Sequence, residues 1–164
     1  MKAESLPRIL SLCIGLLMAC VADGVTAGTD PCSLLSRAEA EELLGGPVKE
    51  PEPQETGNPL GQKLCLYSAS SSDRFILVSV LRTEEMPQRV RDHGRSAPEV
   101  YRTTKDTLDP VRAVPGVGDE ACWGTPGLHI LQGDTYLVIG AGNTSRMENL
   151  ELARRVAAKV LGRL

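Results

Sequence analysis

The last twenty residues, SRMENLELARRVAAKVLGRL, constrain the fold more than any other stretch. Leu150, Ala153, Val156, Ala157, Val160, Leu161 and Leu164 recur at the helical period and make one apolar stripe, with Arg154, Arg155 and Lys159 outside it. Ser145 and Glu148 are spaced to cap this helix. A helix with such a stripe is stable only when another layer covers the stripe. The segments upstream offer that layer, and their pattern is that of strands.

In LCLYSASSSDRFILVSVLR, Cys65, Tyr67 and Ala69 alternate along a first strand, SSSD turns, and Phe75 to Leu81 form a nearly continuous apolar strand. VPGVGDEACWG frames a short strand with Gly116, Gly118 and Gly124. LHIL and YLVIGAG flank Gly133-Asp134, a two-residue hairpin signal. At the front, Asp30 is an N-cap residue with Pro31 at the first helical position. Ser36 and Glu39 then make a capping box, Ala40, Leu43 and Leu44 share a face, and Gly45-Gly46-Pro47 stop the helix. KEPEPQETGNPLGQK reads as a surface loop, and residues 84–108 as two short solvated helices. The sum is a single α+β domain over 28–164, an antiparallel sheet of about five strands with the N- and C-terminal helices packed on one face.

Residues 1–27 read as a signal peptide and tether. Lys2 and Arg8 precede an apolar run from Ile9 to Ala19, short for a bilayer span and laid out as a secretory leader. Two processing sites compete. LMAC resembles a bacterial lipobox, with cleavage before a lipidated Cys20, whereas Val25 and Ala27 suit signal peptidase cleavage after Ala27. Cys20 stands where the apolar run stops and VADGVTAGTD follows as a flexible tether, which favours a membrane lipid anchor. Either route exports the chain.

Cys32, Cys65 and Cys122 remain beyond the leader. Export makes a structural disulfide the expectation for two of them. Cys32–Cys65 is favoured, tying the first helix to the first core strand and stabilising by roughly 3–4 kcal/mol on the chain-entropy model. Cys65–Cys122 is the rival pairing. None of the three lies in a CxxC motif or at zinc-ligand spacing, so neither redox catalysis nor a metal site is called for.

DPCSLLSRAEAEELLGG, CLY, VPGVGDEACWG, LHILQGDTYLVI and the terminal amphipathic helix, in that order, resemble a domain-of-unknown-function family. Its members are small bacterial envelope proteins, many of them actinobacterial lipoproteins, whose exported part begins with a DPCSLL-like segment. The resemblance implies one α+β domain held outside the membrane, Cys32 paired with Cys65, and no established catalysis. Cys122 departs from it, because an aromatic residue is more usual before Trp123.

No constellation of residues carries a catalytic pattern. Asp119 and Glu120 are adjacent and point to opposite faces of a strand, which spoils them as a carboxylate pair. His93 and His129 lie in no ligand motif, and His129 reads as a half-buried strand residue. Ser33, His129 and Asp134 assemble a triad only on paper, without a nucleophile elbow. The glycines of PGVGDE lack the lysine and helix of a phosphate-binding loop, so no cofactor is expected. Net charge -3 and 3% aromatic residues argue against nucleic acid as a partner. Trp123 is expected in the core, or alternatively on a binding face with Tyr67 and Tyr136. The expected function is a non-catalytic, membrane-anchored envelope protein that binds an envelope protein, glycan or lipid. The rival expectation is a periplasmic or secreted hydrolase whose site converges from distant segments.

Overall fold

The computed structural model describes residues 29–54 and 57–164, so the expected leader over 1–27 and the candidate lipidation site Cys20 lie outside the described residues. Asp30 accepts the backbone N–H of Cys32 and opens a single 3-10 turn, Pro31–Ser33. Ser36 then caps α1 (Arg37–Leu44) with a full capping box: its hydroxyl accepts the Glu39 N–H, and the Glu39 carboxylate accepts the Ser36 N–H. Gly45, at φ 75°, ends the helix in the left-handed region that glycine enters without steric cost.

The strands are β1 (Glu52–Gln54), β2 (Lys63–Ser68), β3 (Phe75–Arg82), β4 (Arg112–Ala113), β5 (Glu120–Gly124), β6 (Gly127–Gln132) and β7 (Thr135–Gly140). Between β3 and β4 come α2 (Gln88–Asp92) and α3 (Ala97–Thr107), and α4 (Met147–Val160) follows β7. The strands form one antiparallel sheet in the order β1-β2-β3-β7-β6-β5-β4. Two up-and-down meanders, β1 to β3 and β4 to β7, are thus joined through their last strands, with Val78 opposite Ile139. Among the described residues, seven strands replace the expected five. The two additional ones, β1 and β4, are edge strands of three and two residues, too short to show a period in the sequence.

Strand alternation divides the core in two. Cys65, Tyr67, Ile76, Val78, Leu137 and Ile139 point to one face, where α1 and α4 pack together and the N-terminal turn lies over β2. The two terminal helices do share this face. Leu152 joins the α4 stripe, while Leu161 and Leu164, beyond the helix, are only partly buried. Ser145 does not cap α4: its N–H is held by Asn143, and the N-cap position falls on Arg146, whose side chain caps nothing.

The opposite face carries Leu81, Cys122, Tyr136 and Val138, and α3 covers them with Ala97, Val100 and Tyr101. The expectation of solvated helices over 84–108 therefore fails for α3. Its apolar residues are few but lie together over β6 and β7. No described helix is long and apolar enough to cross a membrane.

Candidate functional site

Cys32 and Cys65 form a disulfide with their Cα atoms 5.1 Å apart, tying the N-terminal turn to β2. Cys122 is free and buried. The rival Cys65–Cys122 pairing is ruled out by topology, since Cys65 faces α1 and α4 while Cys122 lies under α3 across the sheet.

The three aromatic residues considered as a binding face do not meet. Tyr67 is fully buried, its hydroxyl donating to the Leu35 carbonyl at 2.7 Å, and burial pushes the phenol up to about 12. Trp123 lies in the same core layer, its indole N–H donating to the Thr144 carbonyl at 2.7 Å. Tyr136 sits on the opposite side of the sheet, edge-on to Tyr101 with ring centroids 5.6 Å apart.

The chemically active side chains are also dispersed. His129 is buried rather than half-buried, at 2% exposure. Its Nδ1 shares a 2.6 Å hydrogen bond with the Tyr136 hydroxyl, and burial lowers its pKa, keeping the ring neutral. His93 is exposed at the end of α2, with Nδ1 2.6 Å from the Arg89 carbonyl. The Asp119 carboxylate accepts the Gly133 N–H at 2.6 Å, whereas Glu120 ion-pairs with Lys105 of α3. Asp134 borders a cleft of about 530 Å³ beside Arg82 and Arg91, and Ser33 donates to the Asp30 carbonyl at 2.7 Å. Among the described residues, no three His, Cys, Asp or Glu side chains gather to hold a metal ion.

A sheet with helices on one face is expected to leave the other open, and only a half-buried apolar strip of that face stays so. On the α3 side of β2 and β3, Leu64, Leu66, Phe75 and Leu77 are each only half-buried. The register makes them contiguous: Leu66 is opposite Leu77, Ser68 opposite Phe75 and Leu64 opposite Ser79. Among the described residues, α3 packs on β6, β7 and Leu81 of β3, and no helix packs closely on this face of β2. At one end, the Gln62 amide donates to the Ser79 hydroxyl at 2.6 Å and bounds the strip. At the other, the strip opens into a hollow of about 380 Å³ lined by Lys49, Leu66, Ser68, Asp73 and Phe75. The signal was present in LCLY and FILVSVL. A strand with one wet face alternates apolar and polar residues, whereas these are apolar on both faces, as strands covered twice are.

No protein-family model, curated protein or solved structure matches the chain.

Proposed function

We propose that the chain is an exported, N-terminally tethered envelope domain that binds a partner and has no catalytic role. The open apolar strip on β2 and β3 carries this reading. Its four large side chains are half-buried and lie side by side, and contiguous apolar surface marks interaction sites. The dispersal of His93, His129, Asp119, Glu120 and Asp134 supports binding over hydrolysis, which needs such groups within reach of one another.

The chain's entry into the domain suits a tether. Thr29 is held at one end of the sheet: its N–H donates to Glu85, and its hydroxyl accepts from Arg82 at 2.8 Å. Lys63 at the start of β2 donates to its carbonyl. The mouth of the strip, at Ser68 and Phe75, lies at the other end of β2 and β3, about 20 Å away along the strands. The disulfide fits an oxidising compartment, and the resemblance to small bacterial envelope lipoproteins points the same way.

Mass spectrometry of the protein from fractionated cells tests the reading. Diacylglyceryl-Cys20 at the N-terminus of membrane-bound material is the expected result. An unmodified Gly28 terminus removes the anchor but retains export, and uncleaved chain in the soluble cell interior overturns export altogether.

A further inference from the structure

We propose that His129 is an acid-sensitive catch: protonation of its buried ring frees α3 from the sheet and opens the face that α3 covers. The inference depends on neither the binding reading nor the export reading above.

His129 stands opposite Cys122 of β5 and Val138 of β7, in the layer beneath α3. It is 2% exposed, and its Nε2 has no hydrogen-bond partner among the described residues. Nδ1 shares its 2.6 Å bond with the Tyr136 hydroxyl, which also meets the Thr104 side chain of α3. The ring is thus linked through Tyr136 to the helix above it. Protonation puts a hydrogen on both ring nitrogens and a charge into a layer with no free carboxylate. The titratable groups there are Glu120 and Cys122 of β5, Tyr136 of β7, and Tyr101 and Lys105 of α3. Glu120, the one acid among them, is taken by Lys105. By the helical period Glu99 and Asp106 point away from Tyr101, and Asp109, in the loop after α3, is exposed. The Gly124 and Thr125 carbonyls favour the charged ring but do not offset its burial.

The part that yields is α3. It buries only Ala97, Val100 and Tyr101, whereas α4 buries six residues and the disulfide ties down the opposite layer. The Tyr101 hydroxyl, without a nitrogen or oxygen partner, adds a desolvation cost to keeping α3 in place. Lifting α3 admits water to the ring and returns it to its ordinary pKa of 6.5. In the closed form burial holds that pKa lower, so the open form takes up the proton first as pH falls below 6.5. Each further unit favours the open form about tenfold until the closed ring itself titrates. Release also joins Leu81, Tyr136 and Val138 to the strip at Leu77 and Ser79, so the apolar face of the sheet widens in acid.

Cys122 and Trp123 are consecutive in β5 and face opposite layers, which places a reporter on each side of the sheet. Labelling of Cys122 by dithiodipyridine in the full chain tests the proposal, each rate being divided by that of the urea-unfolded chain at the same pH. The corrected rate should rise about 30-fold from pH 7.5 to pH 5, while the emission of Trp123, the one tryptophan, stays native. Urea below the unfolding transition should scarcely change it, as for a local opening. His129→Asn, whose amide still offers the Tyr136 hydroxyl a partner, should abolish the rise. Lys105→Met removes the ion pair to Glu120 at a part-exposed position, and should quicken labelling at both pH values while keeping the rise. A flat pH profile, or a urea dependence as steep as that of Trp123 emission through unfolding, would overturn the catch. So would a rise that persists in His129→Asn, or a Lys105→Met chain that labels like the parent. If His129→Asn does not fold, the urea dependence and Lys105→Met decide the matter.

Discussion

Tyr67 and Tyr101 are both fully buried, and their hydroxyls have opposite fortunes. The Tyr67 hydroxyl satisfies the Leu35 carbonyl at 2.7 Å, and the Cys32 carbonyl lies 3.1 Å from it. The Tyr101 hydroxyl has no nitrogen or oxygen partner among the described residues and faces only the Cys122 thiol, a weak hydrogen-bonding group. A buried acceptor that loses its donor costs more than the bond contributed, whereas deleting a hydroxyl with only a weak partner removes a desolvation cost. Tyr67→Phe is expected to lower unfolding free energy by about 1–2 kcal/mol, and Tyr101→Phe to leave it unchanged or raise it by about 1 kcal/mol. Urea unfolding at constant slope compares the two, and equal losses would contradict the hydrogen-bond assignment. Glu39 supplies a pH test at the same scale. Arg163 grips its carboxylate with two bonds of 2.7 Å and the Ser36 N–H adds a third, holding its pKa at about 2 against an ordinary 4.5. The unfolded chain therefore takes up this proton first as pH falls. Stability from the contact is complete above pH 4.5 and fades between about 4.5 and 2. Arg163→Gln should flatten the pH dependence of the urea midpoint across that window. An unchanged profile would show that solvent screens the pair, whose carboxylate side is about a fifth exposed.

Caps separate what a sequence can say about an element from what it cannot. The Ser36–Glu39 box was legible because its partners lie three residues apart and need no tertiary contact. Ser145 and Glu148 have the same spacing, yet Asn143 captures the Ser145 N–H and moves the start of α4 to Arg146. Ser36→Ala should accordingly cost about 1 kcal/mol, while Ser145→Ala should stay within about 0.5 kcal/mol, both read from thermal unfolding. A comparable loss at Ser145 would mean that its hydroxyl does cap α4 in solution. The β2–β3 and β6–β7 hairpins were readable from alternation and turn residues. β1 and β4 were not, since three residues with a central Pro53 and two residues beside Pro110 and Val111 display no period. α3 was seen as a helix and misjudged as solvated: Ala97, Val100 and Tyr101 make a narrow stripe that polar neighbours mask until a sheet lies beneath them. Helices on one face imply an open face opposite, but which part stays open was not legible, because α3 covers β6, β7 and the Leu81 end of β3 by tertiary packing alone.

At the scale of the molecule, the join between β3 and β7 decides the arrangement, and it links segments about sixty residues apart with no local signal. It also makes the sheet a wall between the disulfide and the third thiol. Cys32–Cys65 lies with α1 and α4 on one side, and Cys122 lies under α3 on the other, its thiol pushed up in pKa by burial. Exchange needs a thiolate with a line of approach to a disulfide sulfur, and the folded chain denies both. Folded protein at pH 8 should therefore keep Cys122 unmodified by a thiol reagent and yield only the Cys32–Cys65 linkage on non-reducing peptide mapping. Unfolding in urea at the same pH removes the wall, and linkages containing Cys122 should accumulate with time. Cys122→Ala should then refold completely after an incubation that leaves the parent chain partly mispaired. Replacing both bridge cysteines, Cys32→Ala with Cys65→Ala, should cost roughly 3–4 kcal/mol on the chain-entropy model, which sets how strongly mispairing penalises refolding. Rapid labelling of Cys122 in the folded protein, or a parent chain that never mispairs when unfolded, would show that something other than the sheet keeps the three sulfurs apart.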